Sequence, residues 1–269
     1  MQIPDLSQCL AKVNLGSIGS VTVFLPSAFV KKRVETWLTV EPETIAWLDK
    51  YSPGATFIDV GANIGLYSIY AALRGAYRVV AVEPDPGNAF VLNANVWLND
   101  GIATIVDVYN LPLDEREGLV RYFSNHPLIL GHSLNQIGRP LDNLVTANLT
   151  SYTKHQIFMV ARSLDSIVGN YMSIDTKKNI KKHDFILKVD VDGIEPKVLA
   201  GGLSAFRERV FSSVLIELDS GVAAHVEAIS FLRQYGYDYD SDQVLESQAA
   251  VRKASRHFDG MANYIFFRL

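Results

Sequence analysis

The sequence predicts an α/β fold in which a mostly parallel β-sheet has helices on both faces. Short apolar runs typical of buried strands alternate along the chain with segments whose apolar residues recur at helical spacing. An acidic residue followed by proline favours the first turn of a helix. This pair occurs at three predicted helix starts: Glu41-Pro42, Asp85-Pro86 and Glu195-Pro196. With 269 residues, 48% of them hydrophobic, the chain can bury one substantial core.

The first 50 residues are predicted to form a flap and a helix. A short strand at residues 21–24 is followed by a turn near Pro26, and the helix that begins at Pro42 runs to Lys50. Pro53-Gly54 then turns the chain into the first strand of the main sheet. We therefore divide the chain into an N-terminal flap and helix, residues 1–50, and a main domain, residues 51–269.

Strands and helices alternate in the main domain. Predicted strands lie at residues 55–60, 77–83, 103–108, 119–123, 185–190, 211–218, 237–239 and 263–268. Predicted helices lie at residues 66–73, 85–99, 163–169 and 195–200, and a further helix follows residue 218. Residues 124–156 are polar, interrupted by proline and glycine, and poorly periodic, which is typical of a functional loop. We expect a substrate-facing insertion around residues 124–160.

Composition excludes several classes of protein. The formal net charge of −4, from 25 basic and 29 acidic residues, gives no strong field for nucleic acid, so no nucleic-acid partner is expected. Cys9 is the only cysteine, which excludes a disulfide framework and a cysteine-rich zinc site. No apolar stretch reaches the length of a membrane span, and the first residues lack the pattern of a signal peptide. We expect a soluble cytoplasmic protein of unspecified oligomeric state.

The most informative segment is Asp59-Val-Gly-Ala-Asn-Ile-Gly65, between a predicted strand and a predicted helix. A strand, a glycine turn and a helix N-terminus offer free backbone N–H groups to a nucleotide-like ligand. A dinucleotide would require G-x-G-x-x-G, but Asn63 occupies the position of the second glycine. A carboxylate two positions before Gly61 instead suits S-adenosylmethionine, because it stabilises the ammonium and sulfonium groups. The spacing therefore favours a methyltransferase.

Glu83 lies about 20 residues further on, at the end of the next predicted strand. Parallel strands of a strand–helix–strand unit end at the same edge of the sheet, so Glu83 should lie near Gly61. Its two oxygens can then accept hydrogen bonds from both ribose hydroxyls of the cofactor. The same carboxylate would repel a 2′-phosphate, which disfavours a phosphorylated nicotinamide cofactor.

A second group of charges follows the predicted strand at residues 185–190. Lys188, Asp190 and Asp192 share one face of an extended chain. Three charges on one face of a buried strand are costly unless they are paired, so they mark an ion-pair network or a site. Glu217, near the end of a later strand, is a plausible partner for Lys188.

These segments, in this order, resemble the FkbM family of S-adenosylmethionine-dependent methyltransferases. The resemblance runs from about residue 41 to the end of the chain. Its motifs are Glu41-Pro42, residues 57–65, Glu83-Pro84, Leu164-Asp165, residues 188–195, residues 214–217 and residues 263–267. One departure is Asp192, because the family usually has a glutamate there. The resemblance implies a class I methyltransferase Rossmann-like fold, with a seven-stranded, mostly parallel sheet and an N-terminal flap.

Resemblance and geometry together assign roles to individual residues. Asp59 and the backbone from Gly61 to Gly65 should hold the methionine end of S-adenosylmethionine, and Glu83 should bind its ribose. Asp190 should orient or deprotonate the acceptor, with Lys188 and Asp192 beside it. The full set of expected cofactor-binding residues is Asp59, Gly61, Ala62, Asn63, Gly65, Glu83, Pro84, Asn110 and Leu111, of which the last two should border the adenine. The implied reaction is O-methylation of a hydroxyl on a sugar, glycan or secondary metabolite, so a small-molecule or glycan acceptor is expected.

Several alternatives stay open at this point. His132 and His225 are weaker candidates for a general base. Asp190, Asp192 and Glu195 could bind a divalent cation, although no metal site is assigned because spacing cannot show that their oxygens converge. A basic run, Lys177, Lys178, Lys181 and Lys182, could grip an anionic substrate or could be a solvated loop. At the level of function, the alternatives are a nicotinamide-dependent oxidoreductase and a non-catalytic cofactor-binding or scaffold protein.

Overall fold

The computed structural model describes residues 6–124, 129–133, 136–138, 156–177, 184–254 and 260–269. The strands in these residues are β1 (Leu10–Asn14), β2 (Ser20–Phe24), β3 (Thr56–Val60), β4 (Arg78–Val82), β5 (Val106–Tyr109), β6 (Gly118–Phe123), β7 (Gln136–Gly138), β8 (Gln156–Ala161), β9 (Phe185–Val189), β10 (Phe211–Asp219), β11 (Tyr237–Tyr239) and β12 (Met261–Arg268). The α-helices are α1 (Ala28–Val40), α2 (Pro42–Tyr51), α3 (Leu66–Leu73), α4 (Pro86–Trp97), α5 (Leu164–Lys177), α6 (Glu195–Ala200), α7 (Leu203–Arg207), α8 (Ala223–Gln234) and α9 (Ser241–Ala254).

Seven strands form the central sheet, in the order β11-β12-β10-β9-β3-β4-β5. The pairs from β10 through β9, β3 and β4 to β5 are parallel, and β12 is antiparallel to both of its neighbours. The expected seven-stranded, mostly parallel sheet is therefore confirmed. The strand order reverses between β3 and β9, and ligands of open α/β sheets bind at such a point.

Two small sheets accompany the central one. β1 and β2 form an antiparallel hairpin, and β7, β6 and β8 form a three-stranded antiparallel sheet. β8 was not predicted, although its exposure alternates residue by residue, which is the spacing of a strand. The insertion expected around residues 124–160 thus contains β7 and most of β8, while residues 139–155 lie outside the described residues.

Some predicted boundaries were wrong. The third strand of the main domain begins at Val106 rather than at residue 103, because Ile102 and its neighbours form a hydrogen-bonded turn. The helix predicted to end at Gly169 continues to Lys177 as α5. Helix α1 was missed altogether, although Ser27 caps it by accepting a hydrogen bond from the Val30 N–H at 3.1 Å. Helix α9 and strand β1 were missed as well.

The hydrophobic core consists of two clusters of buried side chains. The first joins β2, α1 and α2 to α3, α4 and one side of the sheet, and it includes Trp37, Trp47 and Phe57. The second joins α5, α6, α7 and α8 to the sheet and includes Phe206. Helices therefore cover both faces of the sheet, as predicted. No helix among the described residues is both long enough and apolar enough to span a membrane.

Candidate functional site

A cavity lies at the carboxyl ends of β3, β4 and β9. Gly61, Asn63, Glu83, Lys188 and Asp190 all border it. These residues come from two blocks more than 100 residues apart, and the parallel pairing of β3 with β4 and with β9 brings them together. The sequence placed both blocks at this edge of the sheet, and the structure shows them lining one space.

Gly61 is required where β3 meets β9. Its φ of +82° is a conformation that favours glycine, and a Cβ built there would lie 1.8 Å from the carbonyl oxygen of Asp190. The Asp190 N–H donates to the carbonyl of Val60 at 3.0 Å, which continues the strand pairing past β9. The absence of a side chain at Gly61 thus lets Asp190 lie directly against the glycine turn.

Asn63 connects the glycine turn to the end of β4. It adopts a left-handed φ of 51°, which asparagine tolerates better than most residues, and its side-chain oxygen accepts the N–H of Ile64 at 3.0 Å. Its own N–H donates to Glu83 Oε2 at 2.8 Å. The residue that argues against a dinucleotide motif therefore also positions the carboxylate expected to bind ribose.

Glu83 is buried, and a backbone N–H meets each of its oxygens. Oε1 accepts the N–H of Asp85 at 2.8 Å, opposite the bond from Asn63 to Oε2. Burial raises the pKa of Glu83 to about 8, although these two N–H groups favour the charged form and lower it. Each carboxylate oxygen can accept more than one hydrogen bond, so Glu83 keeps acceptor capacity toward the cavity.

Asn110 and Leu111 do not border the cavity; Pro84, Pro112 and Leu113 do. Asn110 Nδ2 instead donates to the carbonyls of Glu83 and Pro84, at 2.8 and 3.0 Å. Asn110 therefore braces the turn after β4 from behind.

Lys188 and Asp190 form the ion pair of the cavity floor. Lys188 Nζ lies 2.9 Å from Asp190 Oδ2. The side-chain exposures are 1% for Lys188 and 30% for Asp190, so Asp190 is the accessible member of the pair. Burial lowers the pKa of Lys188, but the carboxylates of Asp190, Asp59 and Glu41 outweigh burial and raise it above its ordinary value. Lys188 thus stays charged and pairs with Asp190 rather than with Glu217.

Asp59 is buried behind the cavity rather than on its wall. Its Oδ2 accepts a 2.6 Å hydrogen bond from the Ser68 hydroxyl of α3. Burial raises the pKa of Asp59, and Lys188 and Ser68 oppose the shift. Asp59 therefore influences the cavity indirectly, as one of the carboxylates that stabilise the charge of Lys188.

The loop between β9 and α6 carries Asp192, which is exposed, borders the cavity and has a left-handed φ of 58°. Glu195 is buried beneath this loop, and its Oε1 accepts the N–H groups of Val191 and Gly193, both at 3.1 Å. His225 is buried beside Glu195 and does not border the cavity. Glu195 and His225 therefore shape the loop. Among the described residues, no group of three or more His, Cys, Asp or Glu side chains could hold a metal ion.

Several residues that border the cavity were not predicted as site residues: Arg33, Glu41, Tyr67, Tyr122 and Ser133. Glu41, read only as a helix start, accepts a hydrogen bond from Thr44 Oγ1 at 2.9 Å. The ring of Tyr67 lies under Lys188, whose Nζ is 5.4 Å from the ring centroid. Arg33 could not be found because α1 was missed. Of the two candidate histidines, only His132 borders the cavity, and Lys178, Lys181 and Lys182 of the basic run lie outside the described residues.

The strand order and the cavity together define a class I S-adenosylmethionine-dependent methyltransferase fold. The residues present fit this cofactor: a turn opened by Gly61, a carboxylate at the end of β4 and apolar residues beside it. A profile of the "Methyltransferase FkbM domain" matches residues 59–239. The chain belongs to the FkbM family of methyltransferases, and its cofactor is S-adenosylmethionine.

The chain is also similar to individual proteins. The chain is 27% identical over 202 residues to "31-O-demethyl-FK506 methyltransferase FkbM" of Streptomyces tacrolimicus, which covers 71% of this chain and 75% of the relative. It is 27% identical over 197 residues to "Methyltransferase sdnD" of Sordaria araneosa, covering 69% and 74%. It is 29% identical over 224 residues to "AMB antimetabolite synthetase AmbE" of Pseudomonas aeruginosa, covering 72% of this chain but only 10% of that much longer protein.

A solved structure, methyltransferase FkbM from Methylobacillus flagellatus KT, is 15% identical to this chain. The match covers 97% of this chain and 56% of that one, with a TM-score of 0.45. Family membership favours a methyltransferase over the nicotinamide-dependent and non-catalytic alternatives.

Proposed function

We propose that the protein transfers a methyl group from S-adenosylmethionine to a hydroxyl oxygen of a sugar, a glycan or a secondary metabolite. The observation that carries the proposal is the Asp190 carboxylate. It is 30% exposed in the cavity, 2.9 Å from the ammonium of Lys188, and its backbone packs on Gly61. A carboxylate beside the glycine turn of residues 61–65, called the cofactor turn below, can accept the proton of a hydroxyl group.

The cofactor would be held by residues of the glycine turn and of the end of β4. Gly61, Ala62 and Asn63 supply backbone at the turn, Glu83 would accept the ribose hydroxyls, and Pro84 with Leu113 would border the adenine. Gly65 contributes indirectly, because a Cβ there would lie 2.8 Å from Leu92 Cγ of α4, so it lets α3 and α4 pack closely. S-adenosylmethionine supplies an electrophilic methyl group on a positively charged sulfur.

Asp190 would orient the acceptor. Its carboxylate receives the hydroxyl proton as the oxygen forms its bond to the methyl carbon and the carbon–sulfur bond breaks. The ion pair with Lys188 fixes the Asp190 side chain, and the hydrogen bond from the Asp190 N–H to the Val60 carbonyl fixes its backbone. Asp192, on the same loop, would contact a more distant part of the acceptor. Alignment of the two reactants is the main contribution that such a site makes to the rate.

The acceptor would also contact the insertion. Tyr122, Ser133 and Ile137, which precede or lie within it, border the same cavity as the residues of the glycine turn. The name of one relative, "31-O-demethyl-FK506 methyltransferase FkbM", specifies transfer to an oxygen and supports the same atom here.

The test combines two substitutions. Asp190→Asn should reduce methyl transfer at least about 100-fold, because orientation and proton acceptance are lost together, while S-adenosylhomocysteine still binds. Glu83→Gln should weaken S-adenosylhomocysteine binding by about 1–3 kcal/mol through the lost ribose hydrogen bonds. Binding is measured by calorimetry. Transfer is measured with methyl-labelled cofactor and a panel of sugars, glycosides and hydroxylated metabolites, each compared with its amine analogue.

Glu246→Gln, on the exposed side of α9, is the matched control and should change neither quantity. Full turnover in Asp190→Asn would remove Asp190 from the chemistry. Label recovered on nitrogen or carbon would contradict the hydroxyl acceptor, and binding without transfer to any acceptor in the panel would favour the non-catalytic alternative.

A further inference from the structure

We propose that Arg33 is a carboxylate-binding residue of the cavity. Arg33 lies on α1, outside the segment matched by the family profile, and its side chain borders the cavity together with Glu41 and Asp190. The inference deepens the proposed function, because it assigns a ligand chemistry to the part of the same cavity that α1 covers.

The guanidinium of Arg33 is held in place, and within the described part of the chain most of its donors are unused. One terminal nitrogen donates to Ser133 Oγ at 2.6 Å, and the guanidinium carbon lies 5.5 Å from the centre of the Phe29 ring. Nε is sealed from solvent and has no hydrogen-bond partner among the described residues. Because a guanidinium has five N–H groups, a fixed side chain that uses so few of them can receive an incoming acceptor.

Ser133 itself is held by a short segment that is anchored on the cofactor turn. The carbonyl of His132 accepts hydrogen bonds from the side-chain amides of Asn63 and Asn88, at 3.2 and 2.9 Å. The Gly131 N–H donates to Asn88 Oδ1 at 2.7 Å. The position of Arg33 is therefore coupled, through Ser133, to the same turn that would hold the cofactor.

The charges around the cavity point to a negatively charged ligand group at Arg33. Among the described lining residues, Arg33 and Lys188 carry the fixed positive charges, and Lys188 already pairs with Asp190. Arg33 has no carboxylate partner in the described part of the chain. Four carboxyl side chains also border the cavity: Glu41, Glu83, Asp190 and Asp192. The ionised members of this group would repel a ligand carboxylate unless a cation lay beside it.

A carboxylate matches the geometry of the Arg33 guanidinium. The planar guanidinium presents parallel N–H donors at the spacing of two carboxylate oxygens, so the pair forms two hydrogen bonds at once. Two sources of carboxylate exist: the methionine part of the cofactor and an acidic acceptor. Both would enter the same cavity, and the experiment separates them.

The first arm compares two nucleoside thioethers by calorimetry. S-adenosylhomocysteine carries the amino-acid carboxylate, and 5′-methylthioadenosine lacks the whole amino-acid part. If Arg33 binds the cofactor, Arg33→Met should weaken the binding of S-adenosylhomocysteine at least about tenfold, since a charged hydrogen-bond pair is removed. The affinity for 5′-methylthioadenosine should not change. Arg33→Lys should recover part of the loss. Lys32→Met, which removes the neighbouring, exposed cation of α1, is the matched control and should change neither affinity.

The second arm tests an acidic acceptor on protein saturated with S-adenosylhomocysteine, using D-glucuronate and D-glucose as probes. If Arg33 binds the acceptor, Arg33→Met should abolish the preference for glucuronate and leave both nucleoside affinities unchanged. The proposal would be overturned if Arg33→Met changed neither the ratio of the two nucleoside affinities nor the ratio of the glucuronate and glucose affinities. Should Arg33→Met fail to fold, Arg33→Lys carries the same comparisons, because it keeps the charge but loses the paired geometry. Failure of the wild-type protein to bind either nucleoside would contradict the cofactor site. Arg33 would then be tested by comparing glucuronate and glucose binding to the protein without nucleoside.

Discussion

At Glu83, burial and hydrogen bonding act in opposite directions on one carboxyl group. Burial penalises the charged form, whereas the N–H groups of Asn63 and Asp85, each at 2.8 Å, stabilise it. Burial has the larger effect and raises the pKa to about 8. The carboxyl group expected to bind ribose therefore changes its protonation state near neutral pH. Its ionisation in the folded protein lowers the free energy of unfolding.

The pH dependence of stability tests this balance. An unfolded glutamate ionises near its ordinary value of 4.5, so between about pH 4.5 and pH 8 the folded chain keeps a proton that the unfolded chain has released. The free energy of unfolding should therefore fall as the pH rises through this window. Glu83→Gln lacks this contribution, so from pH 5.5 to 8.5 the stability of the wild type relative to the variant should drop by up to about 3 kcal/mol.

Urea denaturation at the two pH values measures the difference, with Glu246→Gln as the exposed control. A stability difference between wild type and Glu83→Gln that stays constant with pH would show that the two N–H groups, rather than burial, decide the charge of Glu83.

At the scale of elements, the loop between β9 and α6 is held from below by α8 and β10. Glu195 Oε1 accepts the N–H groups of Val191 and Gly193, and its Oε2 lies 3.3 Å from His225 Nε2. His225 Nδ1 accepts the Asp219 N–H at 2.9 Å, which leaves Nε2 as the ring nitrogen that can carry a proton. The chain of contacts fixes the loop that carries Asp190 and Asp192.

Removal of the Glu195 carboxylate should loosen this loop. Glu195→Ala leaves the two loop N–H groups without their acceptor and should lower the free energy of unfolding by about 1–3 kcal/mol. Amide exchange at Val191 and Gly193 should become faster, because neither N–H is protected any longer. Glu195→Gln retains one acceptor oxygen and should keep most of the protection.

Hydrogen-exchange mass spectrometry and urea denaturation give the two readouts, with Glu246→Ala as the exposed control. Equal exchange at residues 191–193 in Glu195→Ala and in the wild type would show that Glu195 does not hold the loop.

At the scale of the whole molecule, the N-terminal segment and the sheet share one core. Trp47 of α2 is buried, packs edge-to-face on Phe57 of β3 at 5.8 Å between ring centres, and donates its indole N–H to Ser213 Oγ of β10 at 2.9 Å. Helix α1, on the same side, supplies Trp37 to the core and Arg33 to the cavity. The division of the chain into an N-terminal flap and helix, residues 1–50, and a main domain, residues 51–269, stays a prediction.

Trp47 gives a direct test of that division. Trp47→Ala should lower the free energy of unfolding of the whole chain by about 3–5 kcal/mol, because it leaves a large cavity between α2 and the sheet. Trp47→Phe keeps an aromatic ring and loses chiefly the bond to Ser213, so about 1 kcal/mol is expected. Urea denaturation followed by circular dichroism measures the free energy of unfolding of both variants, and each should unfold in a single transition. A two-step unfolding curve in Trp47→Ala, with the second step unchanged from the wild type, would show that residues 1–50 are a separate unit.

The sheet, the glycine turn and the family could be predicted from the sequence, because they depend on local patterns and on the order of motifs along the chain. Strand spacing predicted β3, β4, β9 and β10, and the run from Asp59 to Gly65 with Glu83 predicted the cofactor. The surroundings of these segments depend on the packing of the folded chain. This packing placed Asp190 against Gly61, Asp59 behind the cavity, Asn110 behind the turn after β4, and Arg33 in the cavity wall. These contacts join residues up to about 130 positions apart, and packing, rather than any local pattern, brings such residues together.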